Sequence, residues 1–129
     1  MAWRDVVLNN VNVGDTFRTP GRGLKGDRAK DFKVIYKESD RLFILSGKSC
    51  LPLERACFEA IENAFNNQPH SRWRVSSLRD NEPYKNSADK LIREVTNSNL
   101  ARGNYVCAML ESLGLVKYEM DGYRKCITK

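Results

Sequence analysis

Over residues 86–129 the apolar spacing, the capping residues and the turn chemistry all ask for one order of elements: helix, turn, helix, hairpin. Ser87 is placed to cap a helix whose apolar positions Ala88, Leu91, Ile92 and Val95 recur at i, i+3, i+4 and i+7, one face of a 3.6-residue period. Asn97-Ser98-Asn99 breaks that helix. A second helix is expected from about Leu100, burying Tyr105, Val106, Met109, Leu110 and Leu113, with Gly114 as the left-handed residue that ends it. Two β-prone runs, Val116–Met120 and Tyr123–Ile127, then flank Asp121-Gly122, a pair that favours a two-residue type I′ turn. Such a turn would set Glu119 opposite Arg124 and Val116 opposite Ile127.

The run Leu110-Glu111-Ser112-Leu113-Gly114-Leu115-Val116 leading into the hairpin resembles the winged-helix branch of the helix-turn-helix superfamily. The resemblance implies that the second helix enters a major groove by its amino-terminal end while the hairpin meets flanking phosphates or the minor groove. It assigns groove contact to Ser98, Asn99, Arg102 and Asn104, and backbone contact to Lys117, Arg124 and Lys125. Double-stranded DNA is the implied partner, and a regulatory protein the implied role. Winged helices also dock proteins or self-associate, which leaves an interaction or assembly module as the alternative. Gly103 is about 1 kcal/mol less favourable than alanine in a helix interior, and Glu111, Glu119 and Asp121 dilute the cations of this region.

Ahead of this unit, residues 1–18 read as a short helix or strand, a turn at Gly14-Asp15, and a strand near Asp15–Thr19. Pro20–Asp31 is nearly devoid of apolar side chains and reads as a flexible loop carrying Arg22, Lys25, Arg28 and Lys30. Two strands follow. Phe32, Val34 and Tyr36 alternate onto one buried face, and the unbroken Leu42–Leu45 run suggests burial on both sides. A helix at about 52–66 is expected to begin with Pro52 as its first residue and to face Leu53, Ala56, Cys57, Ala60, Ile61, Ala64 and Phe65 inward, with an acidic outer face unsuited to DNA. Trp73 and Val75 alternate in a strand returning to the sheet, which reads Arg72-Trp73-Arg74 as a core tryptophan between solvated arginines. Polar Arg79–Asn86 is the expected hinge. The fold expected is α+β: residues 1–80 as a small antiparallel sheet with one long helix, followed by a winged-helix unit at 86–129.

Charge is distributed unevenly. Of the net +6, residues 1–37 carry +4, with 8 basic and 4 acidic side chains, and residues 86–129 carry +2, with 7 and 5. The loop at 22–30 and the hairpin are therefore the candidate polyanion-binding segments. Gly21-Arg22-Gly23-Leu24-Lys25-Gly26 matches a dinucleotide fingerprint in letters only, because a strand-like run and not a helix comes next. Ser46-Gly47-Lys48-Ser49 lacks the glycine five residues earlier that a phosphate-binding loop needs. Cys50 ahead of the expected helix, with His70 as base, would make a minimal thiol dyad, the third and remotest reading. Cys50, Cys57, Cys107 and Cys126 form no C-x-x-C pair, so neither a metal nor a cofactor is expected and free thiols are. No apolar run nears the roughly 18 residues of a membrane span, and a cytoplasmic protein with no membrane partner is the expectation.

Overall fold

Alternation of side chains governs the first sheet, strictly in β3 and with one break in β2. A computed structural model describes residues 1–69, 72–75, 87–122 and 124–129. Helix α1 (Trp3–Asn10) precedes β1 (Thr16–Arg18), β2 (Asp31–Lys37), β3 (Arg41–Ser46) and β4 (Ser49–Glu54), which form one antiparallel sheet in that order. Phe32, Val34, Leu42, Ile44 and Leu53 point to the core and are at most 2% exposed. Leu45 is 39% exposed on the other face, so the expected two-sided burial of Leu42–Leu45 does not occur. A bulge between Val34 and Tyr36 inserts Ile35 into the ladder and turns Tyr36 outward as well, at 56% exposure.

The expected helix start at Pro52 is also corrected. Gly47, at φ +59°, makes a tight turn, and all six residues of β4 then pair with β3, Pro52 opposite Phe43. Lying on an edge strand, Pro52 leaves no ladder acceptor without a donor, so long-range pairing outweighs its preference for a helix start. Helix α2 (Arg55–Asn67) begins after it and buries Cys57, Phe58, Ala60, Ile61 and Phe65. Its acidic outer side is tied up within the fold: Glu59 pairs with Arg4 and Arg55, and Glu62 accepts from the Trp3 amide.

The second sheet has the order β5-β7-β6, built from β5 (Trp73–Arg74), β6 (Lys117–Asp121) and β7 (Arg124–Thr128). Trp73 is 8% exposed and pairs with Ile127, so β5 joins this ribbon, and the expected return of this strand to the first sheet does not occur. Asp121 pairs with Arg124 and Tyr118 with Ile127, which shifts the expected register by two residues. An even shift keeps every side chain on its face, so the apolar pattern permitted either register. Between α2 and the ribbon lie α3 (Ala88–Thr96) and α4 (Gly103–Ser112). Ser87 caps α3 by accepting from the Lys90 amide at 3.0 Å, Asn97 ends it in the left-handed region, and Gly114, at φ +76°, closes α4.

A continuous apolar cluster joins the two parts, running from Trp3 and Val7 through Phe32 and Ile61 to Val106, Met109 and Ile127. Helix α4 lies at its centre, packed on α1, α2, α3 and β1. The expected hinge at 79–86 falls outside the described residues.

Candidate nucleic-acid interface

Helix α4 starts three residues later than expected and is buried nearly all round. Gly103, Val106, Cys107, Ala108, Met109 and Leu110 are buried, Asn104 and Tyr105 half-buried, and only Glu111 and Ser112 of its residues are exposed. Such a helix is a core element. Tyr105 sets its ring edge against Phe32 at 5.0 Å and its hydroxyl 3.2 Å from Ser46 Oγ, which fastens α4 beneath the first sheet.

Arg102, assigned above to a groove, is 1% exposed and does not reach solvent. Its Nη1 donates to the Pro52 carbonyl at 2.9 Å and to both Glu54 carboxylate oxygens at 2.9 and 3.0 Å, and its Nη2 donates to Thr96 Oγ1 at 2.7 Å. The guanidinium thus ties α3 and the start of α4 to the carboxyl end of β4. Asp89, also buried, accepts from the Arg102 and Gly103 amides through Oδ1 at 3.1 and 3.4 Å, while its Oδ2 holds Arg93 Nε at 3.1 Å. A carboxylate from one helix therefore caps the amino terminus of the next, where backbone amides have no partner of their own and the helix dipole favours negative charge. Sequence reasoning named neither Asp89 nor Arg93. Both are buried, whereas Val95 of the expected apolar face is 54% exposed.

The loop and the hairpin, by contrast, come together. Arg22 and Asp27 exchange main-chain hydrogen bonds of 2.8 and 2.7 Å, so the glycine-rich stretch is a closed turn and not a loose strand of chain. Gly21, at φ +65°, sits so close to this turn that a Cβ would lie 2.6 Å from the Gly26 carbonyl oxygen. Lys125 Nζ donates to the Pro20 carbonyl at 2.7 Å while lying 5.6 Å from the Tyr118 ring centre, a strut between hairpin and loop. An open cleft of about 350 Å³ lies between them, lined by Gly23, Leu24, Lys25, Asp27, Met120 and Gly122.

The placement of the assigned residues follows from this geometry. Lys25, Arg28, Lys30 and Lys117 are exposed and Arg22 is half-buried, all without a carboxylate partner among the described residues. Lys125 serves as the strut, and the Arg124 side chain falls outside the described residues. Asn99 is exposed and Ser98 half-buried, but they stand only three and four residues ahead of Arg102, which is anchored at the opposite end of the first sheet from the loop. Ser98, Asn99 and Arg102 are therefore separated from the cationic loop, while Asn104 is half-buried beside Tyr105, whose hydroxyl reaches Ser46.

Sequence reasoning passed over Lys33 and considered Lys48 only as part of the Ser46-Gly47-Lys48-Ser49 stretch ahead of the expected helix. Lys33 projects from β2 just beyond the loop, and Lys48 lies in the β3–β4 turn at that same sheet end, each exposed and unpaired among the described residues. Their convergence depends on strand pairing, which local composition does not encode.

Cys50 stands on edge strand β4 and not at a helix start, and His70 falls outside the described residues. None of the four cysteines is in a disulfide. Burial pushes the Cys57 thiol up to about 12 and raises that of Cys107 further, and burial likewise raises the Tyr118 hydroxyl. Since the thiolate is the reacting form, a disulfide reagent at pH 8 is expected to modify Cys50 alone in the folded protein and all four thiols after denaturation. As pH climbs above the ordinary thiol value of 9.0, the unfolded chain loses protons that folded Cys57 and Cys107 retain, so stability falls.

Comparison with family models, curated proteins and solved structures finds no match for this chain.

Proposed function

We propose that this chain is a non-catalytic DNA-binding protein of winged-helix type, which grips the duplex backbone with the loop at 20–30 and the β6–β7 hairpin and uses α4 as framework. One observation carries this reading. Cations on the helices are engaged within the fold, as in Arg4–Glu59, Arg55–Glu59, Lys90–Glu94, Arg93–Asp89 and Arg102–Glu54. Arg22, Lys25, Arg28, Lys30, Lys33 and Lys48, none with a carboxylate partner among the described residues, gather at the sheet end where the hairpin docks. Unpaired cations concentrated on one rim are suited to displacing counterions from phosphates. The winged-helix assignment is supported by the order α3, turn, α4, β6, β7, with β5 completing the ribbon. A regulatory role, with backbone grip in place of base reading by α4, follows from it.

Duplex binding measured across a salt series tests the proposal. Each phosphate neutralised steepens the fall of log K with log salt by about 0.9. The triple variant Lys25→Gln, Arg28→Gln, Lys30→Gln is expected to flatten that slope by nearly 3 and to weaken binding by about tenfold or more at low salt. An unchanged slope would remove the loop from the interface.

A further inference from the structure

The outward face of the first sheet is covered by no described residue, and it is neither polar nor neutral. Two cross-strand rows make it up. Thr16, Lys33, Leu45 and Cys50 pair in register across all four strands, and all four are exposed. The next outward row is Tyr36, Phe43 and Pro52, with Ile35 added by the bulge. Tyr36 and Phe43 bring their ring centres to 5.8 Å at an interplanar angle of 50°, and the Arg41 guanidinium lies 5.2 Å from the Phe43 centre. Glu38 holds Arg41 there through Nε at 3.3 Å. Tyr36 remains the open ring, more than half exposed.

We infer that this face is a stacking platform for unpaired bases of single-stranded DNA. The inference is separate from duplex gripping, although the two surfaces are continuous through Lys33 and Lys48. Its occupant is indicated by charge and by shape. Lys33, exposed on this face two residues from the ring row and without a carboxylate partner among the described residues, favours a polyanion, and Glu38 beside the rings and Asp31 at the loop end are neutralised by Arg41 and Arg18, with Asp40 exposed in the turn beyond the rings. Rings presented on an open antiparallel sheet stack on bases, whose flat faces are accessible only when unpaired. A strand whose phosphates follow the row of Lys33 would lay its bases on the row of Tyr36, two residues away along β3 and so about 7 Å distant. A duplex, gripped at the sheet end, that opens at one terminus would deliver such a strand.

The test is fluorescence anisotropy with a labelled twelve-residue oligo-dT, alongside a blunt duplex and an oligo-U of equal length. Oligo-dT is expected to bind, Tyr36→Ala to weaken it by about tenfold or more, and Tyr36→Phe to retain it. Duplex binding is expected to be unaltered by either change. Because Tyr36 is exposed, its replacement leaves the core intact, and an unchanged unfolding transition verifies this. Three results would overturn the inference: no binding of oligo-dT, equal binding by Tyr36→Ala, or tighter binding of oligo-U, which would assign the face to RNA. A dimer in solution that Tyr36→Ala dissolves would also overturn it and give the face to a second copy of the chain. Failure of duplex binding with oligo-dT binding intact would instead sink the proposed duplex grip alone.

Discussion

Replacing Asp89 with alanine is expected to lower stability by about 4 kcal/mol. Asp89 is 1% exposed and faces Arg93, itself buried, with Arg93 Nη2 3.0 Å from Oδ2. Removing the carboxylate leaves a guanidinium without its counter-charge in a region closed to water. It also strips the cap from the Arg102 and Gly103 amides at the head of α4. Both losses fall where no solvent can compensate. Asp89→Asn keeps an acceptor for one amide and loses the charge, so it should fall between alanine and the native residue. Denaturant unfolding measures the series, and since domains of this size hold a net 5–15 kcal/mol, the alanine variant should unfold at markedly lower denaturant. A change below about 1 kcal/mol would mean the Asp89–Arg93 pair is solvated and the cap immaterial.

Gly103→Ala is expected to destabilise by about 3 kcal/mol, against the direction that helix propensity alone predicts. Propensity favours alanine in a helix interior by about 1 kcal/mol. In the fold, a Cβ at this position would lie 2.3 Å from the Val75 carbonyl oxygen and 2.9 Å from both the Asp89 Cβ and amide nitrogen. Two of those three atoms are backbone and cannot rotate away. Either α4 moves off α3 or Val75 leaves its hydrogen bond to Lys125, and each loosens the centre of the molecule. The sign of the measured change decides between local propensity and close approach: stabilisation would show that α4 has room to shift.

These two residues also mark the boundary of what can be read from the chain. The α3 cap at Ser87, the break at Asn97 and the stop at Gly114 are set by neighbours within four residues, and the sequence reading anticipated them. The α+β class follows from the same local periodicities. Partners of Asp89, Arg102 and Pro52 lie 13, 50 and nine residues away or come from another strand altogether. No local pattern distinguishes a solvated Arg102 from a buried one. Pro52 satisfies both a helix start and an edge strand, and only pairing with β3 selects the second. Hairpin register failed for a related reason: Asp121-Gly122 is a strong turn signal, yet a two-residue shift costs no change of face, so packing rather than the turn sets the outcome.

The candidate site was legible by its parts and not by its assembly. The excess of cations in residues 22–30 and the hairpin are both visible in the sequence, separated by about 100 positions. Their meeting through Lys125 and Pro20, the addition of Lys33 and Lys48, and the withdrawal of Arg102 into the core are consequences of topology. Residues assigned by resemblance fared worst where the resemblance required an exposed helix, because α4 is enclosed by the first sheet and α2.

The most direct measurement is an amide chemical-shift titration of the labelled protein with a short mixed-sequence duplex. Shifts are expected to concentrate in residues 21–30, Lys33, Lys48 and Gly122, with the α4 amides from Gly103 to Leu110 still. Movement centred on Ser98 to Asn104, with the loop unaffected, would contradict the account and restore the buried helix as the reading element.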